Sequence, residues 1–411
     1  MARRKAQASD VSQVQRQSTP DNSTDDIEES LVPPFFNTTF STHRISPLYI
    51  GTQKLNQTRL DLLAHRLRDT LVGDVVRGIQ VGLEATDTPI GQVGPLRAVK
   101  FRWFHASAVL SDGELVGGNE SLLDDQKQGL WIEIRHENAS YVALLLPGYS
   151  NSPTGTNNSA APLWSMQPEN PQGAEADQSH FIHLPLLLLR MPQALKSVIG
   201  DWLSTTFDCR VSKLNLGTKT LVSVWEGWIQ AAGLPSNSAD LVLTLAFNAP
   251  LAQKDGNNSI DSDDNWTEAG LRSMDVSISS SDLRRFLRAG KALQKETRNI
   301  SSGPWENDNR ERRRLAGPNV DDGWAWRKNK DGTEHPFTEA LAQYLNHYLA
   351  LNLFHPSVRV VQVSCGGFVL AQSRVKIIRP GGATDDLSRA AWMFVMQLGE
   401  RIRGGDMPSI T

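Results

Sequence analysis

Apolar side chains return at helical spacing in four stretches of this chain and at alternate positions in several others. Leu60, Leu63, Ala64, Leu67 and Leu71 share one face of a predicted helix, with Asn56 or Thr58 as its cap and Gly73 as its stop. Pro192 suits a first turn, and Leu195, Val198, Ile199, Trp202 and Leu203 follow in register. Phe337, Leu341, Tyr344, Leu345, Tyr348 and Leu349 make a third stripe, and Leu387, Ala390, Ala391, Phe394, Val395 and Leu398 a fourth. Each stripe predicts a core face, because helices in globular proteins are held mainly by burying one side.

Between the helices lie segments of strand chemistry. In Leu96 to Trp103, Val99, Phe101 and Trp103 point one way while Lys100 and Arg102 point the other. Leu130 to Ile134, Tyr141 to Leu146, Leu221 to Trp225, Leu241 to Phe247 and Met274 to Ile278 read as further strands. Val358 to Ile378 is a long β segment whose hairpin turn is placed at Gln372-Ser373; Gly366-Gly367 is the alternative turn, or a bulge. Strands come in runs rather than in strict alternation with helices. That predicts an α+β fold of mixed or antiparallel, curved sheets with packed helices.

Polar stretches divide the chain. Residues 1–32 read as a disordered tail, 33–149 as an N-terminal α/β domain, 150–178 as a polar linker or insertion, and 179–411 as a β-rich C-terminal α/β domain. Polar loops are expected near 254–266 and 297–335, the second holding the basic run Arg310 to Arg314 and two tryptophans, Trp324 and Trp326.

Charge narrows the function classes. Forty-two basic and forty-five acidic side chains leave a formal net charge of -3, so any contact with nucleic acid must use a local patch. The two cysteines, Cys209 and Cys365, stand far apart, which points away from a zinc site or disulfide framework and toward a reducing compartment. The longest greasy run, Leu184 to Leu189, is too short to cross a bilayer, so no membrane partner is expected.

Candidate chemistry is sparse. His180 and His183 have a spacing that places two imidazoles on one helical face, but no acidic or cysteine partner is near in sequence. Cys365 invites a nucleophile reading only if His347 or His355 approaches it in the fold; in a valine-rich strand a buried, inert thiol is the simpler account. Asp261 to Asp264 lack the glycine and final glutamate of a calcium loop. The common phosphate-loop, serine-hydrolase and zinc-protease signatures are missing, so the reading is a non-enzyme without cofactor or metal.

Three stretches taken together, Pro33 to Tyr49 (PPFFNTTFSTHRISPLY), Asp201 to Leu214 (DWLSTTFDCRVSKL) and Phe337 to Ile377 (FTEALAQYLNHYLALNLFHPSVRVVQVSCGGFVLAQSRVKI), resemble the fungal branch of the centromere protein L (CENP-L) family. The resemblance implies a two-part α/β architecture with an extended sheet in the C-terminal half. It further implies a nuclear, inner-kinetochore subunit that heterodimerises with a CENP-N-like subunit, links other inner kinetochore subunits, and helps line a basic groove facing DNA on CENP-A nucleosomes. A homodimer is expected where the partner is lacking.

An exposed strand edge would give such a partner a row of unpaired backbone groups. The segment expected to pair is Val358 to Ile378, with Val358, Val360, Val361, Val363, Phe368, Leu370, Val375 and Ile377 as its partner-binding residues. Lys100, Arg102, Arg210, Lys213, Arg374 and Lys376 are the expected DNA contacts, cations held outward by apolar neighbours. The competing readings are an autonomous, non-specific DNA-binding protein and an enzyme of unrecognised type.

Overall fold

In the computed structural model, which describes residues 32–76, 93–105, 128–148, 180–232, 240–248, 271–293, 323–324, 326–327, 335–379 and 391–399 without 393 and 397, the first helix opens as its sequence demands. Asn56 Oδ1 accepts the Arg59 N–H at 3.0 Å, capping α1 (Gln57–Val76). Leu60, Leu63, Ala64, Leu67 and Leu71 are buried along one stripe. The helix runs past Gly73, the expected stop, because a glycine ends a helix only where the chain turns left-handed, and Gly73 does not.

Helix α2 (Gln193–Phe207) buries Leu195, Ile199, Trp202, Leu203 and Phe207, and stops where Asp208 turns left-handed at φ 45°. Helix α3 (Thr218–Ala232) replaces the strand expected at Leu221 to Trp225. The five-residue window was too short to show its period: Leu221, Val222, Trp225, Trp228 and Ile229 continue at helical spacing, and all are buried. Helix α4 (Ser280–Leu293) was not foreseen, and α5 (Pro336–Leu349) begins with Pro336 in its first turn. Residues 391–392, 394–396 and 398–399 are helical, as the fourth stripe predicted; Leu387 and Ala390 lie outside the described residues.

The strands are β1 (Thr39–Ile45), β2 (Leu48–Tyr49), β3 (Leu96–His105), β4 (Gln128–His136), β5 (Ser140–Leu146), β6 (Phe181–Ile182), β7 (Leu186–Arg190), β8 (Val211–Lys213), β9 (Leu241–Phe247), β10 (Ser273–Ile278), β11 (Val358–Ser364), β12 (Phe368–Ala371) and β13 (Arg374–Ile377). Eleven of them form one sheet in the order β10-β9-β11-β12-β13-β1-β7-β5-β4-β3, with β8 also on β1; β2 and β6 pair separately. All these strand pairs are antiparallel, so the fold is α+β with one large open sheet.

Both candidate turns of the long β segment exist. Gln372-Ser373 joins β12 to β13, Gly366-Gly367 lies between β11 and β12, and a bulge breaks the β11 register between Val360 and Gln362. A Cβ on Gly367 would stand 2.2 Å from Trp228 Cζ2, so only glycine lets this turn close against the indole.

The residues described from Val32 onward belong to one compact unit. Strands from both sides of 150–178 share the sheet, β5 pairing directly with β7. The segments 1–31, 149–179 and 249–270 lie outside the described residues, as does most of 297–335. Trp324 is an exception to the polar loop expected there. It is buried with its ring 4.9 Å from Phe354, and the neighbouring Arg327 pairs with Glu339 at 2.7 Å.

Two apolar layers sit on opposite faces of the sheet. Phe40, Leu186, Leu188, Val142 and Leu144 join Leu243, Leu245, Val360, Phe368, Val375, α3, α5 and the C-terminal helical residues in the first. Ile45, Leu187, Leu189, Ala143, Leu145, Ile132 and Phe101 join α1 and α2 in the second. Strands β9, β10, β11, β12 and β13 contribute nothing to the second layer.

Candidate functional site

One face of the β9 to β13 half is therefore open among the described residues. Val242, Thr244 and Ala246 of β9, Arg359, Gln362 and Ser364 of β11, Val369 and Ala371 of β12, and Arg374 and Lys376 of β13 are half-buried or exposed there. Each alternates with a core residue of the first layer, as strands covered on one side do. At the outer strand, Thr244 Oγ1 donates to Asp275 at 2.7 Å.

The pairing expected along Val358 to Ile378 has no open edge to use. Strand β11 lies between β9 and β12, β12 between β11 and β13, and β13 between β12 and β1. Where β12 falls short of the start of β11, the Val360 N–H donates to Thr218 Oγ1 of α3 at 3.1 Å. Val358, Val360, Val363, Phe368, Leu370, Val375 and Ile377 are buried in the first layer, and Val361 is half-buried at the bulge. A valine-rich segment marks the middle of a sheet as readily as its edge, and here the backbone groups are completed by the chain itself. Among the described strands, the sheet ends are β10 and β3. At β3 the Phe101 carbonyl accepts Gln57 Nε2 at 3.1 Å and Trp103 Nε1 donates to the Leu55 carbonyl, so α1 and the turn before it close part of that edge.

The expected DNA contacts fall on different sides of the molecule. Lys100 and Arg102 share a face with Phe104, on the side of the first layer; Lys100 lies opposite Glu133 and Arg102 over the Trp131 ring. Burial, then the nearby Arg102, lower the Lys100 pKa, with Glu133 opposing. Lys213, Arg374 and Lys376 project from the other face, since Arg374 and Lys376 alternate with the core residues Val375 and Ile377. Arg210 is exposed just before β8, its backbone tied to Ser46. The register brings Lys213 opposite His43 and Arg374 opposite Ser41, two places apart on β1.

Two residues missed in the sequence complete this corner. Burial lowers the Lys196 pKa, and Arg374 and Lys213 lower it further. His43 is likewise held toward its neutral form by burial, against a contact with the Ser41 backbone, and by Lys196 and Lys213. No local motif could have found them, because β1, β8 and β13 meet here through the register of β1, and α2 through its packing on β8.

With this geometry in place, the family described as centromere protein L matches residues 34–403 of the chain. The chain belongs to the centromere protein L family. It is thus a centromere and kinetochore protein. Comparison with curated proteins finds no match.

In this centromere protein L chain both thiols are held in their protonated form. Burial pushes the Cys365 thiol up to about 11, and the Cys209 thiol also to about 11, so neither holds a thiolate at neutral pH. His355 Nδ1 lies 2.6 Å from Ser357 Oγ, and the His347 ring packs edge-on against Tyr348. Among the described residues no group of three or more His, Cys, Asp or Glu side chains is placed to hold a metal ion. No described helix is long and apolar enough to cross a membrane.

Proposed function

We propose that this centromere protein L chain is a non-catalytic subunit of the inner kinetochore, working in the nucleus, that pairs with a CENP-N-like partner. It links neighbouring subunits and supports their assembly on CENP-A chromatin for chromosome segregation. The observation that carries the reading is the open strand β10 at one end of the large sheet. Strand β9 takes one side of it and no described strand takes the other. Its free backbone groups offer a template for a strand from another chain, with Ser273, Asp275 and Ser277 exposed between the inward Met274, Val276 and Ile278 to fix the register. A second copy of this chain meets the same edge in the partner's absence, giving the homodimer.

Hydrogen exchange with and without the co-purified partner tests this. Ser273 to Ile278 should gain protection while β11 to β13, already bonded on both sides, stay unchanged. Unaltered exchange at β10 on complex formation would remove the edge from the mechanism, and isolation of the native chain alone at moderate salt would remove the heterodimer.

The cations support an accessory contact with DNA phosphates. A near-neutral chain with basic side chains on two faces has no single field to bind DNA by itself. Reversing Lys100 and Arg102 to glutamate should weaken binding of the assembled complex and flatten its salt slope by about two.

A further inference from the structure

We propose that Lys196, Lys213 and Arg374 form a receptor for a single phosphoryl group carried by a partner polypeptide, placed where the open sheet face meets α2. The inference rests on the reading of this chain as an interaction subunit and names a regulated ligand for it.

The site is built by a handover along β1. Strand β7 occupies one side of β1, at Ser41 to Arg44; on the other side β13 pairs with Thr39 to Ser41 and β8 takes over at His43 to Ile45. The handover leaves Arg374 opposite Ser41 and Lys213 opposite His43, on the same face as the buried Ile45. Lys196 enters from the first turn of α2, and Val211 of β8 packs beneath that helix at Gly200, 3.8 Å from a Cβ there.

Electrostatically the corner is unfinished. Lys196 is partly desolvated, and the charges that shift it, Arg374 and Lys213, are both cations. It also lies at the positive end of α2, whose N-cap residue Pro192 supplies no side-chain cap and whose first turn holds no acidic residue. Cations from β8 and β13 thus act on the lysine of α2 at this corner, an arrangement that an anion would relieve.

The geometry selects among anions. Duplex DNA presents phosphates in regular rows and is met by stripes of cations. Here Lys376, Arg374 and Lys213 follow one another along β1, but Lys196 stands off that row on α2 beside Arg374 and Lys213, an arrangement around one position that suits a phosphoserine or phosphothreonine group carrying nearly two charges and three acceptor oxygens. The adjoining face, with Ser41, Gln362, Val369 and Ala371, is small and mixed in polarity, a surface for an extended peptide.

The test uses the full-length purified chain. In phosphate-free buffer Lys196→Gln should melt about 2 °C above the wild type, because repulsion is relieved. Inorganic phosphate should raise the wild-type Tm above that in chloride at equal ionic strength, and should leave Lys196→Gln unmoved. A labelled phosphoserine peptide should bind about tenfold tighter than its unphosphorylated form, a preference lost in Lys213→Gln/Arg374→Gln. Equal binding of the two peptides, or a phosphate-induced shift that survives in Lys196→Gln, overturns the proposal. So does binding of a 20-base-pair duplex that these substitutions weaken while the phosphopeptide stays unbound, which makes the corner a nucleic-acid contact. None of these results touches pairing at β10, which the exchange experiment on the complex decides separately.

Discussion

Strands β5 and β9 are each seven residues long and belong to one sheet, yet their sequences, SYVALLL and LVLTLAF, differ in a telling way. From Val142 onward every residue of β5 is buried, because α1 and α2 cover one of its faces and the C-terminal helical residues lie in the layer on the other. In β9 only Leu241, Leu243 and Leu245 are buried, and Val242, Thr244 and Ala246 look outward. A continuous apolar run marks a strand covered twice, and alternation marks one covered once. Under the proposed function the difference also divides labour: the doubly covered half is the frame, and the singly covered half offers a face and an edge to a partner.

The sharpest way to break this contrast is to place a charge on the second face of each half. Leu187→Asp, in the layer beneath α1 and α2, should cost more than about 4 kcal/mol and leave little folded protein in urea titrations. Within the singly covered half, Gly290→Ala should be next in size. A Cβ there would stand 2.0 Å from the Pro336 carbonyl oxygen, so α4 and α5 must part, at about 1–3 kcal/mol.

Glu226 tests how the first layer tolerates a carboxylate. Burial raises its pKa, more than the hydrogen bonds it accepts from Thr338 N and Oγ1, each at 2.8 Å, can lower it. The folded state therefore holds the Glu226 proton at a pH where the unfolded chain has released it. That stabilisation is complete below the ordinary carboxylate range and is lost as pH rises through the folded pKa. Glu226→Gln should flatten this part of the stability–pH curve, read from urea midpoints across pH. An unchanged slope would mean the carboxylate is better solvated than its burial indicates. The smallest effect is expected at the open face, where Val369→Asp should change stability by less than about 0.5 kcal/mol. A loss there comparable to that of Leu187→Asp would show that something covers this face and would collapse the distinction between the halves.

Much of the scaffold could be read before folding. Leu60 to Leu71, Leu195 to Leu203 and Phe337 to Leu349 declared their helices by period alone, although Tyr344, Tyr348 and Leu349 of the third stripe are exposed rather than in the core, and β3, β4, β5, β9 and β10 by alternation or apolar runs. Leu221 to Trp225 misled because five apolar residues fit either period, and Trp324 because its polar neighbours hid a side chain that packs against Phe354. The candidate site was legible in pieces: Lys213, Arg374 and Lys376 were identified as outward cations, while Lys196 and His43 were not. Their meeting depends on residues as far apart as His43 and Arg374, and nothing local in either segment records it.

Sequence by itself determined which segments become helices and strands and how many faces of a strand are buried, because both follow from the spacing of apolar side chains within a few turns or residues. The order of the strands was left to the tertiary structure. It set the valine-rich segment in the interior and β10 at the end, and it brought three cations to one corner. Strand order depends on long-range backbone pairing, in which any antiparallel strand can satisfy any other, and only the packing of the whole chain chooses among the arrangements.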